Sequence, residues 1–394
     1  MKGEAELGFE RIDWARAHMP INAEIRERFE REEPFSGHRI GAALHLEAKT
    51  ANLILTLRAG GAEMFVIGSN PLSTQDEIAA ALAETEGITV SARRGEPAEK
   101  HAASIDRLLD SSPTLIVEDG GEVIGRIVKR GIDNFPQLIG ICEETTTGVE
   151  QLRELEREGK LPIPAIAVND ARMKYLLDNR YGTGQSTWDA IMRSTNLLVA
   201  GKTVLIIGYG WVGKGLALRA RGLGARVIVA ELDPVKSVEA LMEGYDVASL
   251  EEGISRAEIV LTATGRPGVV EKEALERVRD GAILANAGHF GYEIDKTALE
   301  AISVENEEVR PGVRSYRLAD GRTLYLLGEG ELVNLSVADG HPAEIMDISF
   351  ALQALSLEHL AKSGKDLPPR VHRVPEEIER SIARMVLSEL HQER

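Results

Sequence analysis

One cysteine, Cys142, in 394 residues excludes an internal disulfide framework and any multi-cysteine metal site, and leaves a single thiol to be packed inside. Aromatic residues are scarce at 4%, and basic residues are outnumbered, 46 Lys and Arg against 63 Asp and Glu, for a formal charge of -17. Such a chain repels nucleic acid phosphate, and no basic aromatic patch offsets this. Uninterrupted apolar runs nowhere approach the roughly 20 residues of a membrane span. The start, MKGEAELGFERIDWARAHMP, carries acidic residues throughout and no apolar segment of signal-peptide type. The expectation is a cytoplasmic location, with small molecules or copies of the chain as partners and no membrane partner.

What is present is a globular composition, 43% hydrophobic and 28% charged, in a chain too long for one core. Short Val- and Ile-rich runs such as MFVIG, LIVED, AIAVND, TVLIIG, RVIVAE and AILANAG each precede a longer amphipathic stretch. That alternation predicts an α/β fold: two Rossmann-like, doubly wound parallel-sheet domains separated by a cleft, with a short C-terminal helical extension. No glycine fingerprint occurs before about Asp170, whereas one opens directly after Gly201. The expected domains are residues 1–183 and 184–340, with 341–364 returning to the first as an amphipathic helix. Residues 365–394 are expected to form a proline-marked linker, KDLPPRVHRVP, and a charged helix.

The strongest local signal is KTVLIIGYGWVGKGLALRARGLGARVIVAELDP. A strand leads into Gly208, Gly210 and Gly213, with Val212 inside the loop, then a helix and a second strand ending at Glu231. The glycines serve the tight turn, backbone approach to a pyrophosphate and close helix packing, and the helix N-terminus adds partial positive charge. A carboxylate at Glu231 accepts both ribose hydroxyls and repels a 2′-phosphate, so NAD is expected rather than NADP. By itself this leaves a simple dehydrogenase open.

Other motifs narrow the chemistry. GSNPLSTQD at Gly68 to Asp76, EDGG at Glu118 to Gly121, EETTTG at Glu143 to Gly148, AVNDARMKYLLDNRYGTGQS, NAGHF at Asn286 to Phe290 and LVNLSVADGHP at Leu332 to Pro342 occur in this order. Together they resemble the S-adenosylhomocysteine hydrolase family over most of the chain. The resemblance implies NAD-dependent, reversible hydrolysis of S-adenosyl-L-homocysteine to adenosine and L-homocysteine. The 3′-hydroxyl is oxidised to a ketone, which acidifies C4′-H; the thiol is eliminated, water adds, and the oxidation is reversed with no net redox change. It implies a substrate-binding first domain, an NAD-binding second domain, hinges near Tyr181 to Ser186 and Gly340, and a homodimer or homotetramer. A dehydrogenase with net redox, or a non-catalytic regulatory relative, remains the alternative.

The same resemblance implies roles for individual residues. Lys174 helps remove the 3′-OH proton, and Asp178, four residues on in an expected helix, holds the ribose hydroxyls; an exposed ion pair is the alternative. A lysine in that role is expected to be desolvated. Asp119 is an acid/base at C4′ or C5′, or else an Asp-Gly turn residue. His289 and His45 serve C5′, and Glu144 and Asn179 orient the sugar hydroxyls and Lys174. Thr50 and His341 join the substrate-binding set. Thr145, Thr146 and Thr147, with Asn179, Asn286 and Asn334, contact NAD, a polar turn being the alternative for the threonines. No metal site is expected.

Trp211, Thr183 and Gly291 depart from commoner family residues. No lysine follows Lys365 and no tyrosine follows Tyr325, so the family's C-terminal NAD-capping lysine and tyrosine are missing and weaker NAD retention is expected. In LHLEAKTA, Glu47 and Lys49 stand where many members carry threonine and an adenine-reading glutamate. An ammonium suits a 6-oxo oxygen, so an S-inosylhomocysteine substrate is the alternative; a Glu47–Lys49 pair at the strand end is the local one.

Overall fold

The computed structural model describes residues 2–289 and 291–392. Its strands, in chain order, are β1 (Arg39–Leu44), β2 (Glu63–Gly68), β3 (Ile88–Val90), β4 (Leu115–Glu118), β5 (Gly140–Glu143), β6 (Ala165–Ala167), β7 (Thr203–Ile207) and β8 (Arg226–Ala230). There follow β9 (Asp246–Val247), β10 (Ile259–Thr262), β11 (Ile283–Asn286), β12 (Ser303–Arg310), β13 (Val313–Leu318), β14 (Thr323–Leu327) and β15 (Val371–Arg373). They belong to two compact units, Met1–Tyr175 with Ala343–Arg394, and Leu176–Pro342.

In the first unit the sheet order is β15-β6-β5-β4-β1-β2-β3, parallel throughout. Leu115, Ile116 and Val117 of β4 are all fully buried, as a parallel strand covered on both faces requires. The strand order reverses between β1 and β4, so the carboxyl ends of these two strands flank a switch point, where open α/β sheets bind ligands. The returning helix, Ala343–Ser363, is not amphipathic as expected: Asp347 through Ala354 are buried in an unbroken run, so the unit encloses it. Asp347 anchors it, accepting hydrogen bonds from the backbone N–H groups of Ile21 and Asn22 at 2.9 and 2.8 Å. The expected linker also differs, since Val371–Arg373 adds β15 beside β6; prolines at 368 and 369 precede it without entering the ladder.

In the second unit the order is β12-β13-β14-β11-β10-β7-β8-β9. Strands β9-β8-β7-β10-β11-β14 run parallel, and β12 and β13 add an antiparallel meander. The switch point lies between β7 and β10, directly above Gly208. Trp188, Leu216, Ala217, Ala220 and Val229 form a core against one sheet face, while Leu205, Ile228, Ile254 and Leu284 form one against the other. None of the described helices is long and apolar enough to cross a membrane.

Candidate active site

The carboxyl ends of β1, β4, β5 and β6 present most of the polar residues singled out in the first unit. His45 follows β1; its Nδ1 lies 2.6 Å from Ser73 Oγ, and its Nε2 lies 3.7 Å from Asp119 Oδ2 at the end of β4. The two side chains are 14% and 10% exposed, so the pair is partly desolvated while still reachable. Gly120 and Gly121 follow with φ of 102° and 79°, a left-handed turn that aims the preceding aspartate.

Lys174 is 5% exposed, as its expected role requires. Its Nζ lies 3.4 Å from Glu144 Oε1 and donates to Asn169 Oδ1 at 3.5 Å. The other oxygen of Glu144 accepts from Gln353 Nε2, brought in by the returning helix. The buried amine thus faces a carboxylate that is itself held by a neighbouring amide. Asn169 was visible in the VND motif but was not singled out, and Gln353 had no local signal because it lies far along the chain.

The Lys174–Asp178 stretch is not the α-helix expected. A three-residue helical turn, Arg172–Lys174, runs into a π-helix, Tyr175–Gly182, and then into an α-helix, Thr183–Thr195. π-Helical turns are rare and concentrate at functional sites. The division between the two units falls in this segment, between Tyr175 and Leu176, and recurs between Pro342 and Ala343.

Glu47 and Lys49 do not extend a strand. Glu47 caps the helix Ala48–Ala59, its carboxylate accepting from the backbone N–H of Lys49 at 3.0 Å and of Thr50 at 3.1 Å. Lys49 Nζ lies 2.6 Å from the same carboxylate, with both side chains under 10% exposed. The local pair is therefore formed. Thr50 also donates its hydroxyl to the carbonyl of His45 at 2.7 Å, tying the cap to the strand end.

Thr145 caps the helix Thr146–Arg157: its hydroxyl donates to Glu143 Oε1 at 2.7 Å and accepts from Gly148 N at 3.1 Å. Its one donor is committed, so any further bond it makes must be as acceptor. Thr146 is exposed and Thr147 half-buried in the first turn of that helix. Cys142 is fully buried on β5, and burial pushes its thiol well up, with Glu144 and Glu143 adding to the effect.

Two carboxyls not singled out as site residues lie beneath this surface. Glu118 and Glu143, register partners on β4 and β5, are both fully buried. Burial pushes the Glu118 carboxyl up to about 8 against the opposing N–H bonds of Val123 and Ile124. A carboxyl held above its ordinary 4.5 stabilises the fold fully below that value and loses this contribution as pH rises toward 8. Glu118→Gln is expected to flatten this decline by roughly 1 kcal/mol or more, read by urea unfolding at pH 5 and pH 8. An unchanged slope would exclude Glu118 as its source.

In the second unit Gly208 has φ 94°, and a Cβ on Gly213 would stand 2.0 Å from the carbonyl oxygen of Gly208, so the helix Trp211–Gly222 packs directly on the turn. A Cβ on Gly210 would meet nothing, which leaves its backbone open to a pyrophosphate. Val212, in the first turn of the helix, packs partly against the core. Glu231 closes β8 and accepts from the backbone N–H groups of Tyr209, Leu232 and Asp233 at 2.6, 2.8 and 3.0 Å. Asn286, fully buried at the end of β11, accepts from Thr262 Oγ1 and Gly288 N at 2.9 and 2.8 Å. Glu293, not singled out from sequence, holds the loop after β10 through Thr264 and Gly265, and burial raises its carboxyl.

Asn334 donates to Ser186 Oγ at 3.0 Å, while its buried Oδ1 has no hydrogen-bond partner among the described residues. That oxygen fits a carboxamide donor, and with the open glycine turn and Glu231 the residues present suit NAD. Asp178, 2% exposed, meets His341 Nδ1 at 3.3 Å, and His341 Nε2 lies 3.1 Å from Thr183 Oγ1. Asn179 is buried in the π-helix, and His289 is half-buried in the loop after β11. Phe290 of the NAGHF motif lies outside the described residues.

Comparison with known proteins agrees with both units. Residues 2–135 match S-adenosyl-L-homocysteine hydrolase, and residues 179–340 match the NAD binding domain of S-adenosyl-L-homocysteine hydrolase. The S-inosyl-L-homocysteine hydrolase of Methanopyrus kandleri is 53% identical over 98% of this chain and 91% of its own. The adenosylhomocysteinases of Thermococcus kodakarensis and Thermotoga maritima are each 52% identical, over 98% and 96% of this chain and 91% and 94% of theirs. A solved structure of dipicolinate synthase from Bacillus halodurans shares the fold alone, with TM-score 0.53 and 14% identity over 82% of this chain and 99% of that one. NAD is accordingly the cofactor. The glycine turn above β7, the ordered motifs and the match along nearly the whole chain have one common explanation: this protein belongs to the S-adenosyl-L-homocysteine hydrolase family.

Proposed function

We propose that the protein catalyses NAD-dependent, reversible hydrolysis of S-adenosyl-L-homocysteine to adenosine and L-homocysteine. The observation that carries this reading is Lys174, buried beside Glu144 and Asn169 at the same strand ends as the His45–Asp119 pair. When bound, NAD+ supplies oxidation at C3′ and its later reversal. Lys174, as the neutral amine, takes the proton from the 3′-oxygen, and Glu144 balances the charge it then carries. Asp119, with His45, moves protons at C4′ and C5′ during elimination of the thiol and addition of water; His289 assists at C5′. Asp178, steadied by His341, and Asn179 hold the ribose hydroxyls. Gly208, Gly210, Gly213, Val212 and Glu231 hold the dinucleotide, with Asn286, Asn334 and the threonines of 145–147 as further contacts.

The test is thiol release from NAD-loaded protein with NADH followed in the same cuvette. Thiol without accumulating NADH is expected; NADH formed in step with turnover would make the protein a dehydrogenase.

The capped pair favours a second reading for the base. Both oxygens of Glu47 are engaged by backbone N–H groups, Thr50 or Lys49, so the pair offers donors, which suit a 6-oxopurine better than adenine. The relatives carry both names, so the choice rests on measurement. If Lys49 reads the base, the inosyl compound is preferred by about tenfold at equal subsaturating concentration, and Lys49→Met removes the preference. Preference for the adenosyl compound would leave Lys49 as a cap partner only. The further expectation is a homo-oligomer, for which the fitting measurement is mass by light scattering.

A further inference from the structure

We infer that Glu143 is a positioning residue that locks two loops of the first unit into one arrangement: the Asp119–Gly121 turn after β4 and the short loop after β5 that ends at the helix cap Thr145. One carboxylate oxygen, Oε1, accepts three hydrogen bonds, from Gly120 N at 3.0 Å, Thr145 N at 2.8 Å and Thr145 Oγ1 at 2.7 Å. The first comes from one loop and the other two from its neighbour. The remaining oxygen, Oε2, has no hydrogen-bond partner among the described residues.

The surroundings leave little freedom. Glu143 is fully buried at the end of β5, and a Cβ on Gly148 would stand 2.1 Å from its carboxyl carbon, so the following helix presses its first turn onto the group. Gly120 and Gly121 both lie in the left-handed region, and neither has a side chain to brace the turn; Glu143 supplies the brace from the adjacent strand. Glu118, its register partner, does parallel work, accepting from Val123 and Ile124 at the start of the next helix.

Two acids buried side by side are costly for stability, which points to a need for this acceptor position rather than for packing. Desolvation, with the charges of Glu118 and Asp119, holds the Glu143 carboxyl well above the usual range. A neutral amide that keeps Oε1 therefore reproduces what the site needs.

The roles of Asp119 and Thr145 rest on the proposed function, so the experiment reads the tie separately from turnover. Amide hydrogen exchange is followed at Gly120 and Thr145 in wild type, Glu143→Ala and Glu143→Gln, alongside thiol release. In Glu143→Ala both amides are expected to exchange at least about tenfold faster together, with kcat falling by a similar factor; Glu143→Gln should restore both. If Glu143→Ala does not fold, Glu143→Asp, which withdraws the carboxyl by one methylene, is read in the same way. Protection lost in one loop only, in neither, or equally in Glu143→Gln would overturn the assignment. A wild-type protein that releases no thiol would remove the proposed function, while the exchange result would still decide the tie.

Discussion

Lys174→Met is expected to lower kcat for thiol release by at least about a thousandfold while NAD stays bound. The substitution keeps an unbranched chain of similar length and deletes the amine. It thereby removes the group proposed to take the 3′-OH proton, and general-base contributions are typically about 10²- to 10⁴-fold. The glycine turn at Gly208 to Gly213 belongs to the other unit, which is why cofactor content is expected to survive. Normal turnover by Lys174→Met, measured with NAD content in the same sample, would remove the proposed mechanism.

Asp119→Asn should cost about two to four decades in kcat with KM changed by less than threefold. The amide fills the same space and can still meet His45, but it neither accepts nor returns a proton. The Gly120–Gly121 turn and its bond to Glu143 are backbone features and should persist, so circular dichroism and unfolding should match wild type. A KM increase with kcat unchanged would reassign Asp119 to holding substrate. Full activity would make it the turn residue that its Asp-Gly context also allows.

Legibility differed between the two kinds of site. The dinucleotide turn was readable because its signal is local: Gly208, Gly210 and Gly213 lie within six residues, Gly208 with positive φ, Gly213 packed on the Gly208 carbonyl and Gly210 leaving its backbone open. The substrate side was readable only as separate motifs whose meaning came from resemblance. His45 and Asp119, and likewise Glu144 and Lys174, are far apart along the chain and pair only because parallel strands bring their carboxyl ends to one end of a sheet.

The differences have physical causes. Lys174 to Asp178 has the composition of an α-helix, yet the backbone takes a π-helical course where one unit gives way to the next. LHLEAKTA reads as strand followed by polar residues, but Glu47 is better used as a helix cap, since it satisfies two backbone donors that would otherwise be buried. KDLPPRVHRVP looked like linker; three of its residues find an open sheet edge at β6.

By itself, then, the sequence determined what local chemistry and pattern can determine: an α/β chain in two parts, an NAD turn, and a set of ionisable residues suited to proton transfer. Tertiary structure alone decided which of those residues meet, and it brought in Gln353, Glu118, Glu143 and Glu293, whose work is to hold other groups in place. A buried carboxyl is favourable only where converging backbone donors offset its desolvation, and that convergence is a property of the folded sheet ends rather than of any stretch of chain.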